Sequence, residues 1–151
     1  MRDSSLESVV ENLLSIIPII DNSIRRTLRK TIHDAGIEDI LPYHFMIMKI
    51  LDDEGTLYVA EIGEKLRIHP PQMTRFIDHM VSKNLVQRET DTNDRRAINI
   101  TLTSKGKSLL QQHDVMIKNA LKEKLSDLTD EEIEDLQVSL RKVKDTFSKL
   151  Q

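Results

Sequence analysis

The stretch from residue 85 to residue 103 constrains the fold most, because it predicts a β-hairpin in a chain whose other patterns are helical. Leu85–Thr90 and Ala97–Thr103 are predicted strands, and a turn with the sequence DTNDRR joins them at residues 91–96. The second strand alternates apolar with polar side chains, the apolar ones being Ile98, Ile100 and Leu102. Charged turns are usually only solvated, so the two adjacent arginines of this turn indicate a function only if the neighbouring elements support one.

Two short helices are predicted directly before the hairpin. Val59–Leu66 forms the first, and a tight connector leads into the second, which runs from Pro70 to about Lys83. Proline suits the first turn of a helix, since no amide donor is needed there. The second helix has a buried stripe consisting of Met73, Phe76, Ile77 and Met80. The other predicted elements of this region are a helix over Pro42–Asp53, a short strand over Thr56–Tyr58 and a helix capped by Thr103 that runs to about Leu125.

Both ends of the chain have apolar residues spaced alternately by four and three, which is the pattern of a heptad repeat. In the first helix these residues are Leu6, Val10, Leu13, Ile17, Ile20 and Ile24. In the last helix they are Leu136, Leu140, Val143, Phe147 and Leu150, after a capping box at Thr129. Pro18 lies inside the first stripe and predicts a kink or a local break there.

The two stripes predict the organisation of the chain. We expect residues 1–35 and 108–151 to form a helical dimerisation region and residues 36–107 to form a compact lobe, the two making up one intertwined domain. In a monomer the two terminal helices could instead pack against each other. We favour a homodimer, because long terminal helices around a compact middle more often pair with a second copy.

Composition excludes several classes of protein. The chain has no Cys, which excludes disulfides, Cys-ligated zinc and thiol redox sensing. It has no run of 18 apolar residues and no signal-peptide pattern at its start, so we expect a soluble, cytoplasmic protein.

The net charge of the chain is −3, but residues 62–107 hold 9 basic and 5 acidic side chains, a net charge of +4. A basic middle segment of this kind is typical of a surface that binds phosphates.

Helix, short turn, helix and hairpin, in that order, predict a winged helix-turn-helix. The fold class is therefore mainly α with a small β-hairpin and long terminal dimerisation helices. The second helix of such a unit enters the major groove, about 12 Å wide, and needs a polar, cationic face. Four residues off the buried stripe meet that need: Gln72, Thr74, Arg75 and His79. The alternative is a helical interaction module whose winged domain docks a protein partner.

Residues 59–110 closely resemble the MarR (multiple antibiotic resistance regulator) family of transcription factors. The family's helix pattern is matched by Thr74-Arg75-Phe76-Ile77, then Met80, then Leu85-Val86. Its wing pattern is matched by Asp91, Asp94, Arg95, Arg96, Leu102, Thr103 and Gly106. The resemblance implies a homodimeric, ligand-responsive repressor that binds an inverted repeat of double-stranded DNA. Within the wing it implies that Arg96 enters the minor groove, that Asp94 braces it, and that Arg95 contacts phosphate.

The resemblance also implies an effector, a small phenolic or lipophilic anion bound between the dimerisation helices and the DNA-binding lobe. By position, its pocket would be lined by Ile17, Ile20, Ile24, Arg25, His44 and Met48. Ordinary core packing is the alternative interpretation of these six residues.

The chain departs from the family at two positions. Asn84 replaces the usual Gly after the second helix, and Asn is the next best residue for a left-handed cap. His69 replaces the usual Ser or Thr at the helix start; it can donate to phosphate but caps poorly.

We predict no metal site or cofactor, and the first metal candidates would be His33, His44 and His113. We also predict no enzymatic activity, because glycine-rich phosphate loops, nucleophile elbows and metalloprotease motifs are absent from the sequence.

Overall fold

In the computed structural model, which describes residues 1–150, the chain forms six helices and three strands. The helices are α1 (Arg2–Asp34), α2 (Pro42–Glu54), α3 (Val59–Leu66), α4 (Pro70–Ser82), α5 (Ser104–Leu125) and α6 (Asp130–Ser148). The strands are β1 (Leu57–Tyr58), β2 (Val86–Thr90) and β3 (Ile98–Leu102). The predicted winged helix-turn-helix is confirmed. None of the helices in residues 1–150 combines the length and apolarity that a membrane span requires.

The chain divides into two compact units. We call Ala35–Met116 the lobe, and Met1–Asp34 together with the chain from Ile117 onward the helical unit. The boundary within α5 falls later than the predicted one at residue 108. A dimerisation role for the helical unit stays a prediction.

The sheet of the lobe has three strands rather than the two of a hairpin. Its order is β1-β3-β2, with β3 antiparallel to both neighbours. Val86 pairs with Leu102 and Thr90 with Ile98, which is the register expected for a hairpin with its tip at residues 91–97. Ile100, the central residue of the predicted apolar face, is fully buried, whereas Ile98 at one end of that face is exposed.

Aliphatic and methionine side chains from α2, α3, α4 and the sheet fill the core of the lobe. Those with at most 2% of their surface exposed include Ile47, Met48, Ile62, Met73, Ile77, Met80, Leu85 and Ile100. The predicted stripe of α4 is therefore the side that holds this helix on the lobe. After α4, Asn84 has φ +58°, which confirms its predicted left-handed conformation. This turn reverses the chain into β2.

The helical unit has two long helices with large apolar side chains on their surfaces. α1 is continuous through Pro18, so of the predicted kink or local break, the break is wrong and the kink stays a prediction. Proline removes one backbone hydrogen bond, and the neighbouring turns keep the helix intact here. α6 begins at the predicted capping box, in which the Glu132 amide donates to Thr129 Oγ1 at 3.2 Å and the Thr129 amide to the Glu132 carboxylate at 2.8 Å. Within residues 1–150, neither α1 nor α6 contains a buried residue.

Candidate nucleic-acid interface

One face of α4 is polar and fully accessible, opposite the stripe that anchors the helix to the core. Gln72, Thr74 and Arg75 are all exposed on this face. Pro70 occupies the first turn, and the N-cap His69 makes no side-chain capping bond, as its sequence predicted. Pro70 and Pro71 have no amide hydrogen, and the Gln72 and Met73 amides both donate to the His69 carbonyl at 3.0 Å. A phosphate contact at the start of α4 would therefore come from the exposed side chains.

The arginines predicted to contact DNA do not form ion pairs within the protein. Within residues 1–150, Arg75, Arg95 and Arg96 form no salt bridge, and all three are exposed. By contrast, Arg88 pairs with Asp78 at 2.5 Å, and Arg25 pairs with Asp21 at 2.6 Å. Three unpaired guanidinium groups on α4 and the hairpin tip leave this side of the lobe able to bind anions.

His79 differs from the other predicted contacts on α4, because its side chain turns toward α2. Its ring stacks on that of His44, with centroids 5.0 Å apart, and its Nε2 lies 3.6 Å from the Asp39 carboxylate. Lys83 donates to the same carboxylate at 2.6 Å, and this hydrogen bond lowers the pKa of Asp39. A half-buried His79 in this cluster has less reach to DNA than Arg75 one turn earlier.

The hairpin tip is built from side-chain-to-backbone hydrogen bonds. The Asp94 carboxylate accepts the Arg96 amide at 2.9 Å, and the Ala97 amide donates to the Asp94 carbonyl at 3.0 Å. Asp94 therefore contacts the main chain of Arg96 rather than its guanidinium, and it fixes where the arginine side chain starts.

Two links between the tip region and the helices had no sequence signal. Arg88 on β2 pairs with Asp78 on α4, and the Tyr58 hydroxyl donates to Asp91 at 2.7 Å. These partners are separated by 10 and 33 residues. A single sequence has no periodicity that would bring such pairs together, so only the fold reveals them.

A cavity of about 1080 Å³ lies within the lobe between α3, α4 and the hairpin. Its walls are largely apolar and include Val59, Ile68, Met73 and Ile77. Its charged lining residues are Arg67, Arg88 and Arg96 together with Glu61, Glu64 and Asp94, so their formal charges balance. No pattern in the sequence indicates this cavity, because its lining comes from four separate segments.

The six predicted pocket residues belong to different units. Ile17, Ile20 and Arg25 are exposed on α1, and Ile24 is half-buried there. His44 and Met48 are buried in the lobe, with 2% and 0% of their surface exposed, so ordinary core packing describes these two. His44 Nδ1 accepts the Leu41 amide at 2.9 Å.

The histidines do not assemble a metal centre in this structure. His113 stacks on Phe45 with ring centroids 3.5 Å apart, while His44 lies against Phe76 and His79. In the part of the chain that the structure describes, no group of three or more His, Cys, Asp or Glu residues could hold a metal ion.

Comparison with known proteins adds independent evidence. The MarR family model matches residues 42–98. The transcriptional repressor MdtR of Bacillus subtilis is 31% identical over 96 residues, which are 64% of this chain and 62% of MdtR. The regulator MhqR of the same organism is 29% identical over 80% of this chain and 81% of its own. A MarR family protein from Bacillus stearothermophilus superposes with a TM-score of 0.73 at 25% identity, covering 94% of this chain and 97% of that one.

Proposed function

We propose that this chain is a DNA-binding transcriptional regulator of the MarR family, whose model matches residues 42–98, and that it represses transcription by binding an inverted DNA repeat as a homodimer. The observation that carries this proposal is the exposed face of α4, where Gln72 and Arg75 stand opposite the buried stripe. Gln and Arg can each make two hydrogen bonds to a single base edge. In this proposal they read the major groove, while Thr74 and His69 contact the backbone.

The hairpin is the wing of this proposal. Its tip would reach the minor groove, about 6 Å wide and most electronegative over A·T runs. Arg96 inserts there, since a guanidinium is planar, always charged and weakly hydrated. Asp94 braces Arg96 through its amide, and Arg95 contacts phosphate.

The effector is the least constrained part of the proposal. The resemblance to the family implies a small phenolic or lipophilic anion. The cavity beside α4 supports a lipophilic ligand through its apolar walls, while its three lining arginines are balanced by Glu61, Glu64 and Asp94. A ligand there would contact both α4 and the wing residue Arg96, so binding could change how both meet DNA.

The salt dependence of binding separates this function from protein docking. The ligand is DNA selected from a random pool by the protein itself, and the measurement is fluorescence anisotropy at several salt concentrations. We expect affinity to fall steeply with salt, because released counterions drive phosphate binding. A nearly salt-independent affinity, or selection of no DNA at all, would favour the docking alternative.

Arg75→Ala tests the reading of bases. It should cost on the order of 1–3 kcal/mol per half-site on selected DNA and much less on random DNA. Lys65→Ala is the matched control, because it removes one cation from the same lobe where Lys65 pairs with Glu54 at 3.1 Å. Equal weakening on both DNAs would assign Arg75 to phosphate instead.

A further inference from the structure

Tyr58 stands at the N-cap of α3, but its side chain does not cap the helix. Ser, Thr, Asp and Asn are the usual residues there, because their short side chains reach the first amides. The Tyr58 amide is instead bound by the Glu61 carboxylate at 3.1 Å, while the Tyr58 hydroxyl donates to Asp91 Oδ2 at 2.7 Å. The phenol ring therefore serves a contact outside its own helix.

This contact joins the two edges of the sheet. Tyr58 ends β1, and Asp91 directly follows β2, with β3 between the two strands. Two strand spacings amount to about 10 Å, which a short capping side chain cannot cross. The hydrogen bond therefore ties the first helix of the helix-turn-helix to the far side of the wing.

Asp91 is also the residue at which the tip begins. Its amide donates to the Ala97 carbonyl at 3.0 Å, and its Oδ1 accepts the Asn93 amide at 3.3 Å. Both carboxylate oxygens are thus engaged, one in shaping the tip and one in holding it to Tyr58. A shift of Asp91 would carry the whole turn with it, including Arg96.

We propose that Tyr58 is a positioning residue for DNA binding, holding the base of the wing so that Arg96 is aimed relative to α4. This inference rests on the proposed insertion of Arg96 into the minor groove. Removal of the hydroxyl leaves the backbone bond to Glu61 in place, so the start of α3 does not depend on it. The bond to Asp91 also raises the pKa of Tyr58 and lowers that of Asp91.

The test is a double-mutant comparison on selected DNA by fluorescence anisotropy. Tyr58→Phe should weaken binding on the order of fivefold per wing, the value of one hydrogen bond. In an Arg96→Ala background the same change should cost less than about twofold, because no groove contact remains to be aimed. Tyr43→Phe is the control, since it deletes the chain's other phenol hydroxyl, which forms no hydrogen bond within residues 1–150.

The outcomes separate the two proposals. An Arg96→Ala protein that binds like wild type overturns the wing function, and the positioning role with it. If Arg96→Ala weakens binding but Tyr58→Phe does not, or if Tyr58→Phe costs the same in both backgrounds, only the positioning role fails.

A spectroscopic readout of the Tyr58–Asp91 hydrogen bond is independent of DNA. In the Tyr43→Phe protein, Tyr58 is the single tyrosine and should titrate above its ordinary pKa, and Asp91→Asn should bring that pKa down. If the pKa of Tyr58 is ordinary in the Tyr43→Phe protein, before Asp91→Asn is added, the inference is also overturned.

Discussion

At the scale of single residues, His44 shows how burial fixes a protonation state. Its Nδ1 accepts the Leu41 amide, so the neutral ring carries its proton on Nε2. Nε2 is buried and has no hydrogen-bond partner within residues 1–150. Burial lowers the pKa of His44 to about 4, with a further contribution from His79. A second proton would break the bond to Leu41 in a site that disfavours charge.

This lowered pKa makes the stability of the lobe depend on pH. Between pH 6.5 and pH 4 the unfolded chain binds a proton at this position that the folded chain does not, so stability falls as the pH falls through that window. From pH 7 to pH 5 the loss should be about 2 kcal/mol. Urea unfolding at both pH values measures it.

His44→Asn is the control for this prediction, because its side-chain oxygen can accept the Leu41 amide without titrating. The variant should lose less stability between pH 7 and pH 5 than the wild type does. An identical pH dependence in both proteins would mean that other groups, such as His113, dominate; burial also lowers the pKa of His113.

The sequence predicted which side of α4 carries cations, because helical periodicity separates a buried stripe from an exposed face. That argument placed Arg75 correctly at the surface, and it also included His79. Periodicity cannot show that His79 would meet the ring of His44, since α2 approaches only in the folded lobe. The contact of Tyr58 could not be predicted for the same reason, because its partner Asp91 lies 33 residues away.

At the scale of elements, the join between α4, β2 and α5 depends on Gly106. A Cβ at this residue would overlap the carbonyl oxygen of Leu85 and approach Leu102 Cδ1 to 2.7 Å. Thr103 contributes to the same join, since its hydroxyl accepts the Gly106 amide at 2.9 Å and donates to the Asn84 carbonyl at 2.7 Å. The helix can start here only because residue 106 has no side chain.

Gly106→Ala should therefore destabilise the protein by about 2–3 kcal/mol, because backbone atoms must move to make room. Helix propensity alone predicts the opposite sign, a gain of about 1 kcal/mol. Thermal or urea unfolding distinguishes the two. Ser108→Ala, at an exposed position of the same helix, should change stability little. A stable Gly106→Ala protein would show that the join has space that the structure does not show.

The wing gives a prediction whose sign opposes simple electrostatics. Asp94→Ala makes the tip more positive, yet it should weaken DNA binding because the bond to the Arg96 amide is lost. Glu89→Ala is the matched control: it removes one acid from β2 and should tighten binding slightly. Fluorescence anisotropy at two salt concentrations compares them. Tighter binding by both variants would mean that residues 91–96 are only a charged turn.

Most element boundaries were predictable because proline, glycine and capping residues mark them locally. α3 matches its prediction at both ends, and α4 ends one residue early. The sequence suggested β1 but not its pairing, because two residues carry no alternation that would identify a partner strand. The break predicted at Pro18 was wrong for a related reason. Whether a proline interrupts a helix depends on how strongly the neighbouring turns stabilise that helix, and a single sequence position does not show this.

At the scale of the whole molecule, the apolar surface of the helical unit needs an explanation. Leu6, Val10 and Ile17 of the α1 stripe are 60%, 45% and 60% exposed, and Leu140 and Phe147 of the α6 stripe are 52% and 46% exposed. Contiguous apolar surface of this kind on a single chain usually marks an interface. The two heptad stripes predicted from the sequence are thus unpaired in one copy, which supports pairing with a second.

The homodimer can be tested without disturbing the lobe. Leu140→Glu places a charge in the middle of the α6 stripe, where a dimer would bury it without a partner, a change that costs several kcal/mol. Sedimentation velocity should show wild-type dimers and mutant monomers at the same concentration. The monomer should also lose the preference for two half-sites whose centres are about one helical turn, roughly 10 base pairs, apart. Lys142→Glu is the control, because residue 142 lies on the opposite side of α6 and should leave the dimer intact. A Leu140→Glu protein that remains dimeric and keeps its preference for paired half-sites would place the interface elsewhere.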